Sequence, residues 1–358
     1  MKDPVADVFR NTIDAAREGC NSVDAARGLR KITDMSPPTY PTASRAPDPE
    51  ALMAVQTRLD EARAVAPALE AAEIDEVLRI VPGKRAVLAG HWQGRPAVFR
   101  MVERAEADWQ AREWAEVARI WPQMQGLRYR VAEPLAYLPE VCIMVVERVA
   151  GTPLMEHLWS LVPGARGAPM QQAAAWLRRY TDVSESWRAA RPEGWLARAE
   201  RARGKQPFAR LRQIEAGIAR HLARLAARQQ GVEWRMAICH GDFHPNNLVL
   251  RGERLTGIDL GGSAQMPVCK DIARCLAHMG RRGLFSSERR RLGVDAAALD
   301  QFAETFALTE TERRCTLPFF IGIEALIRVE NRSMKRGRIR HAEAMYSALR
   351  DDLAVLPG

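Results

Sequence analysis

Two hydrophobic periods divide this chain, and the point where one gives way to the other limits what it can fold into. Three short apolar runs, at 77–81, 86–89 and 96–102, are separated by Pro82-Gly83-Lys84-Arg85 and Gln93-Gly94-Arg95. Strand-length runs broken by such turns predict three antiparallel strands. From 103 to 123 the sequence is charged but places Trp109, Trp114, Val117 and Ile120 near one helical face. Two further strands are expected around 131–138 and 141–147. Beyond Gly151-Thr152-Pro153-Leu154 the period is mostly helical, at 154–161, 168–190, 207–230, 271–280, 295–308 and 311–350. Brief apolar segments at 236–239, 247–250 and 255–258 interrupt it, the last two joined by the polar turn Arg251-Gly252-Glu253-Arg254. A sheet block followed by a helix block predicts an α+β chain.

The N-terminal part is separate in character. Val5, Val8, Phe9, Ile13 and Ala16 give helical spacing over 5–33, after which Pro37, Pro38, Pro41, Pro47 and Pro49 break regular structure. An alanine-rich amphipathic stretch from Pro49 to about Ala72, with Leu52, Val55, Leu59, Val65 and Leu69, predicts a further helix. The expected division is therefore 1–48 as a helical extension with a Pro-rich linker, 49–147 as a sheet domain with its preceding helix, and 148–358 as a helical domain.

Several classes are excluded. With 47% hydrophobic and 27% charged residues the chain has a globular balance. Its six cysteines (Cys20, Cys142, Cys239, Cys269, Cys275, Cys315) form no Cys-x-x-Cys pair, which argues against a metal cluster and suits free thiols. The longest apolar runs, such as 141–146, fall far short of the roughly 20 residues that cross a bilayer. Met1-Lys2-Asp3-Pro4-Val5-Ala6-Asp7 carries charge and proline where a secretory signal would be apolar. A cytoplasmic protein without membrane partners is expected.

The formal net charge is +9. Residues 178–235 hold 14 basic side chains against six acidic ones, a local excess of +8, and Arg328, Arg332, Lys335, Arg336, Arg338 and Arg340 form a second run. Such surfaces favour anions or are simply solvated helix faces. The aromatic residues are not interleaved for base stacking, so nucleic acid is not the expected partner.

One segment carries chemistry. Ile238-Cys239-His240-Gly241-Asp242-Phe243-His244-Pro245-Asn246-Asn247 leads into a hairpin that ends at Gly257-Ile258-Asp259-Leu260-Gly261-Gly262. A loop folding back over that hairpin brings Asn247 and Asp259 together as oxygen ligands for a hard cation such as Mg2+. Asp242 then stands where it can accept a proton from a hydroxyl group. Metal neutralisation and a group that orients the nucleophile are two of the parts phosphoryl transfer requires.

These residues resemble the aminoglycoside phosphotransferase/choline kinase-like family, relatives of the protein kinases. The match rests on His240-Gly241-Asp242 with Asn247, on Ile258-Asp259-Leu260-Gly261, and on Lys270-Asp271-Ile272-Ala273. The resemblance implies a bilobal protein-kinase-like fold, with a small antiparallel-sheet N-lobe and a mostly helical C-lobe. It implies Asp242 as catalytic base, Asn247 and Asp259 as Mg2+ ligands and Asp271 as a brace for the loop, a role compatible with a simple helix N-cap. ATP would bond the backbone near Val146 and Val149. Pro82-Gly83-Lys84-Arg85 takes the place of the phosphate-covering loop, although it is poor in glycine. Where the family carries a phosphate-contacting lysine this chain has Arg100, and its expected acidic partner is Glu113, with Glu106 and Glu116 as competitors.

The expected activity is ATP- and Mg2+-dependent transfer of the γ-phosphate to a hydroxyl of a small molecule: a sugar, amino sugar, amino alcohol or nucleoside-like acceptor. Arg100 and the glycine-poor loop keep open a nucleotide-binding pseudokinase or scaffold. His240 and His244 keep open a metal-dependent phosphoesterase. Glu324, Glu330 and Asn331 are either acceptor contacts or exposed helix polars. The N-terminal extension is a candidate for homo-oligomer contacts.

Overall fold

The computed structural model describes residues 48–356; the helix expected over 5–33, nearly all of the Pro-rich linker and Cys20 lie outside the described residues. The described residues divide into two compact units, one made of 48–125 with 131–150, the other of 126–130 with 151–356.

The first unit begins with helix α1 (Pro49–Val65), where the Asp48 carboxylate accepts from the Glu50 N–H and Pro49 fills a position that needs no donor. The expected helix to residue 72 stops at Val65. Ala66, which precedes Pro67, is extended, and 3-10 turns over Pro67–Ala71 follow. Strands β1 (Ala72–Val81), β2 (Arg85–Trp92) and β3 (Arg95–Val102) precede helix α2 (Ala107–Met124), and β4 (Pro134–Leu138) and β5 (Ile143–Glu147) complete an antiparallel sheet in the order β1-β2-β3-β5-β4. The single strand expected over 131–138 is two strands: Tyr129–Val131 belongs to a different sheet.

Alternation along β3 sorts its side chains. Ala97, Phe99 and Met101 enter a core with Leu52, Val55 and Leu59 of α1 and Leu88 and Val145 of the sheet, so α1 covers this face. Arg100 points the other way, toward α2, whose Gln110 Nε2 donates to the Arg100 carbonyl at 2.7 Å.

The second unit holds α3 (Leu154–Ser160), α4 (Gly167–Asp182), β6 (Ser186–Ala189), α5 (Glu193–Arg203), α6 (Ala209–Ala227), β7 (Glu233–Cys239), β8 (Leu248–Arg251), β9 (Arg254–Gly257), β10 (Ala264–Pro267), α7 (Val268–Gly280), α8 (Ala296–Thr305), α9 (Leu317–Ile327) and α10 (Arg336–Val355). Three expectations need correcting. The helix over 168–190 ends at Asp182, because Ser186–Ala189 pairs with Glu233–Met236 of β7 and satisfies its edge. Helix α5 forms where none was expected; Trp195, Leu196 and buried Ala199 give it only a thin apolar stripe. The helix over 311–350 is broken at 328–335, where Asn331 accepts from the Ser333 N–H at 3.1 Å and its hydroxyl at 2.6 Å in a side-chain turn. No helix among the described residues is long and apolar enough to cross a membrane.

Cys142, Cys239, Cys269, Cys275 and Cys315 are free and buried. Beneath α9 lies a buried polar network. Gln206 Nε2 donates to Glu215 at 2.7 Å and to Glu330 at 3.1 Å, while Arg281 Nε and the Tyr346 hydroxyl donate to Glu330 at 2.9 and 3.2 Å. Burial raises the Glu215 pKa from 4.5 to about 7, the Gln206 bond opposing it and neighbouring Glu330 adding to it. Because the folded pKa lies above the unfolded one, this group favours the fold below pH 4.5 and that contribution is lost as pH rises through 7. A rise of that size corresponds to roughly 3 kcal/mol. Glu215→Gln is therefore expected to raise the thermal midpoint by several degrees at pH 8 and to change it little at pH 5, as calorimetry at the two pH values would read.

Candidate active site

The loop from His240 to Asn247 joins β7 to the β8–β9 hairpin, and its shape follows from where its backbone is tied. The Ile258 N–H donates to the Asn247 carbonyl at 3.0 Å, closing the hairpin's open end, and His240 Nε2 lies 3.1 Å from the Ile258 carbonyl. The Gly241 N–H donates to Asp271 Oδ2 at 3.1 Å, and its carbonyl takes the Lys270 ammonium. Lys270 also pairs with Asp271 at 3.2 Å, so the first turn of α7 grips both the N–H and the carbonyl of Gly241. Asp271 is the fourth residue of α7, past Pro267 at the cap, so it braces the loop and is not an N-cap.

Gly241 is required here. Its φ is +82°, and a Cβ would lie 1.9 Å from the Gly262 carbonyl oxygen. Gly241→Ala is expected to cost roughly 3 kcal/mol or more, strain and backbone displacement together, read as a lower urea midpoint. Behind the loop, Trp176 stacks on Tyr180 at 5.2 Å and on Phe243 at 5.8 Å between ring centres, giving the loop a rigid floor. His240, fully buried, packs in this group, which accounts for it without a metal-binding role.

Asp242 is the one carboxylate of the loop, and it is heavily bonded. Arg274 Nε and Arg328 Nη2 both donate to Oδ1, at 2.7 and 3.1 Å, and His244 Nε2 lies 3.4 Å from Oδ2. Burial alone would raise its pKa, but the His244 hydrogen bond and the Arg274 charge outweigh that and hold it well below the usual carboxylate range. His244 is buried and stacks on His278 with ring centres 4.2 Å apart; burial lowers its pKa, against the pull of Asp242. Asp242 is thus a fixed anion, a weaker base than the sequence implies.

Asn247 Nδ2 donates to the Asp242 carbonyl at 3.0 Å, which orients the amide and leaves Oδ1 as a ligand atom. Asp259 follows Ile258 directly, is exposed, and has a left-handed backbone (φ 63°, ψ 57°) that turns the chain out of β9. Both residues therefore stand at one end of the hairpin. Their donors are oxygens, and a pair of oxygen ligands with room for water and phosphate is what Mg2+ accepts, so the residues present fit that ion. No cluster of three or more His, Cys, Asp or Glu suited to a metal occurs among the described residues.

In the first unit Arg100 and Glu113 form an ion pair, with the Glu113 side chain 1% exposed. Of the three acids considered, Glu116 is committed to Arg119 through two 2.8 Å bonds, which leaves Glu113 as the Arg100 partner. Arg100 also lies over the Trp109 ring, 5.5 Å from its centre. Pro82-Gly83-Lys84 is the tight turn between β1 and β2. Val146 sits within β5 between Val98 and Pro134, whereas Val149 lies past the strand end with its backbone outside any ladder.

The acceptor candidates divide. Glu324 and Glu330 are fully buried, contrary to an exposed helix face: Glu330 belongs to the polar network, and Glu324 pairs with Arg328 at 3.4 Å and Lys270 at 4.0 Å. Asn331 is exposed and used in its own turn. The sequence did not single out Arg274; the signal available was an arginine three residues after Asp271, on an otherwise apolar helix, where a buried charge demands a partner.

Residues 83–307, nearly two-thirds of the chain, match the family described as Phosphotransferase enzyme family. The chain belongs to that family. The resemblance drawn from the catalytic segment is therefore borne out, and with it the enzyme class. No curated protein sequence matches this phosphotransferase. Among solved structures it is similar to an amicoumacin kinase in complex with AMP-PNP, Ca2+ and Ami (13% identity, 84% of this chain and 96% of the other, TM-score 0.56). It is similar also to a glucosamine kinase in complex with glucosamine, ADP and inorganic phosphate (18%, 86% and 86%, 0.51) and to a choline kinase from Streptococcus pneumoniae (12%, 83% and 99%, 0.50). At these identities the likeness is one of fold, and it bears out the protein-kinase-like α+β architecture.

Proposed function

We propose that this phosphotransferase moves the γ-phosphate of ATP, with Mg2+, onto a hydroxyl group of a small molecule. The observation that carries the reading is the common anchoring of Asp242, Asn247 and Asp259 at one end of one hairpin, with Gly241 clamped behind them. Asn247 and Asp259 would hold Mg2+, which when bound neutralises charge on the triphosphate.

The rest is done by the chain's own side chains. Asp242 accepts a hydrogen bond from the acceptor hydroxyl and aims its oxygen at the γ-phosphorus. The new O–P bond forms as the bond to the β-phosphate oxygen breaks, and the hydroxyl proton passes to Asp242. A carboxylate held so strongly ionised takes that proton only once transfer is well advanced, which suits a loose transition state. His244, in contact with Oδ2, is the next group on the proton's way out. Arg100, fixed by Glu113, supplies the guanidinium for the α- and β-phosphates; its planar fork replaces a point charge with a two-pronged donor. The Val149 backbone, with Val146 beside it, would meet the adenine.

The test is ADP release from Mg2+-ATP across a panel of sugars, sugar phosphates, amino alcohols and nucleosides, with the product identified by mass. Acceptor-dependent ADP release with a phosphorylated product is expected. AMP-PNP binding without turnover on any acceptor would favour a nucleotide-binding scaffold.

A further inference from the structure

Two guanidinium groups converge on a single oxygen of Asp242, and most of their donors are unused. Arg274 spends only Nε on Asp242, and neither of its terminal nitrogens makes a hydrogen bond among the described residues. Arg328 uses Nη2 on Asp242 and Nε on Glu324, and its Nη1 has no partner among them. Arg274 is 6% exposed, so its cationic head is held in place and poorly hydrated. Burial and then the Arg328 charge lower the Arg274 pKa. Glu324 is fully buried and presents no face to a ligand. Asp242 and Arg328, by contrast, keep 41% and 31% of their side chains exposed.

The chain that leaves Arg328 continues the pattern. From 328 to 340 the only acid is Glu330, buried against Arg281, while Arg332, Lys335, Arg336 and Arg340 are exposed. A cationic acceptor arriving beside Asp242 would meet the like charges of Arg274 and Arg328 there. An anion would satisfy the unused N–H groups in the bidentate geometry guanidinium prefers.

We infer that Arg274 and Arg328 form an anion seat beside the catalytic loop, and that the acceptor is an alcohol carrying a phosphate or carboxylate group near the hydroxyl that is phosphorylated. This rests on the proposed kinase reading and narrows its acceptor class. The hydroxyl goes to Oδ2 of Asp242, the oxygen the arginines do not touch, and the anionic group to the arginine terminal nitrogens. Arg328 is the adjustable partner, Arg274 the fixed one. The exposed basic run steers the acceptor toward them, so association weakens with added salt.

The experiment uses inorganic phosphate as probe, followed by 31P line broadening on the full chain saturated with Mg2+ and AMP-PNP. Filling the nucleotide site first separates this claim from the kinase reading, which stands or falls on AMP-PNP binding and ADP release. Millimolar phosphate binding is expected, at least tenfold weaker in Arg328→Gln and partly restored in Arg328→Lys. Asp242→Asn is expected to bind phosphate severalfold more tightly, because the competing carboxylate charge is gone. An unchanged thermal midpoint in Arg328→Gln shows the fold intact; should it fall, the Asp242→Asn result decides by itself. In the ADP-release assay, glucose 6-phosphate and gluconate should inhibit or react better than glucosamine. The inference is overturned if phosphate fails to bind beside AMP-PNP, which would assign the arginines to the nucleotide's own γ-phosphate. It is equally overturned if Asp242→Asn leaves phosphate affinity unchanged or if glucosamine is preferred.

Discussion

Asp242→Asn is expected to lower kcat by about 1,000-fold or more while leaving AMP-PNP affinity within about threefold, since a positioned proton acceptor contributes about 100- to 10,000-fold. Asparagine is the informative replacement. Its carbonyl can still take the Arg274 and Arg328 hydrogen bonds, so the loop keeps its shape and only the charge and proton acceptance are removed. Alanine would also strand the largely buried Arg274, and a loss of folding would then be mixed with a loss of chemistry. The low pKa of Asp242 adds a pH signature. Its carboxylate remains ionised as pH falls through the ordinary carboxylate range, so no acid limb of kcat there belongs to it. Its contribution to stability is likewise present above the unfolded pKa and lost only as pH falls through the depressed folded value. A kcat profile from pH 5 to 8 for the parent and a thermal midpoint for the variant check both points.

Asp259→Ala is expected to reduce kcat by a comparable factor, about 1,000-fold, by removing a charged ligand from the metal. It should also raise the Mg2+ concentration required for half-maximal activity by about tenfold or more. Asp259 is exposed at a hairpin end but left-handed, with φ 63°, so a thermal midpoint for the variant separates the cost of alanine there from the chemical defect. Asn247→Ala should show the same metal dependence with an added stability loss, because its amide also holds the Asp242 carbonyl. Titrating Mg2+ at fixed ATP for each variant separates the two effects.

The catalytic segment was legible because its spacing is set by local backbone rules. A hairpin of fixed register must bring Asn247 next to Ile258, and Asp259 follows. The sheet unit was readable for the same reason: Gly and Pro punctuate strands whose alternate residues are buried. What could not be read were features decided by tertiary partners. Ser186–Ala189 carries no strand signal beyond a tryptophan and becomes a strand because β7 needs an edge. Arg328 looked like one of a run of surface charges, and only the packing of α9 against α7 turns it to Asp242. Glu324 and Glu330 looked polar and exposed, yet each is buried against basic partners from elsewhere in the chain. The fall in pKa of Asp242 owes most to the hydrogen bond from His244, two residues on, and then to the charge of Arg274, 32 residues away in sequence, which no local window contains.

The most direct test of the central claim is the linkage between Mg2+ and nucleotide. AMP-PNP affinity is measured by calorimetry in Mg2+ and in EDTA, for the parent chain and for Asp259→Ala. If Asn247 and Asp259 hold the cation against the triphosphate, Mg2+ tightens AMP-PNP binding in the parent by about tenfold or more, and that gain is largely absent in the variant. Equal tightening in both proteins would contradict the account, because the cation would then be held by groups other than the hairpin end on which the mechanism depends.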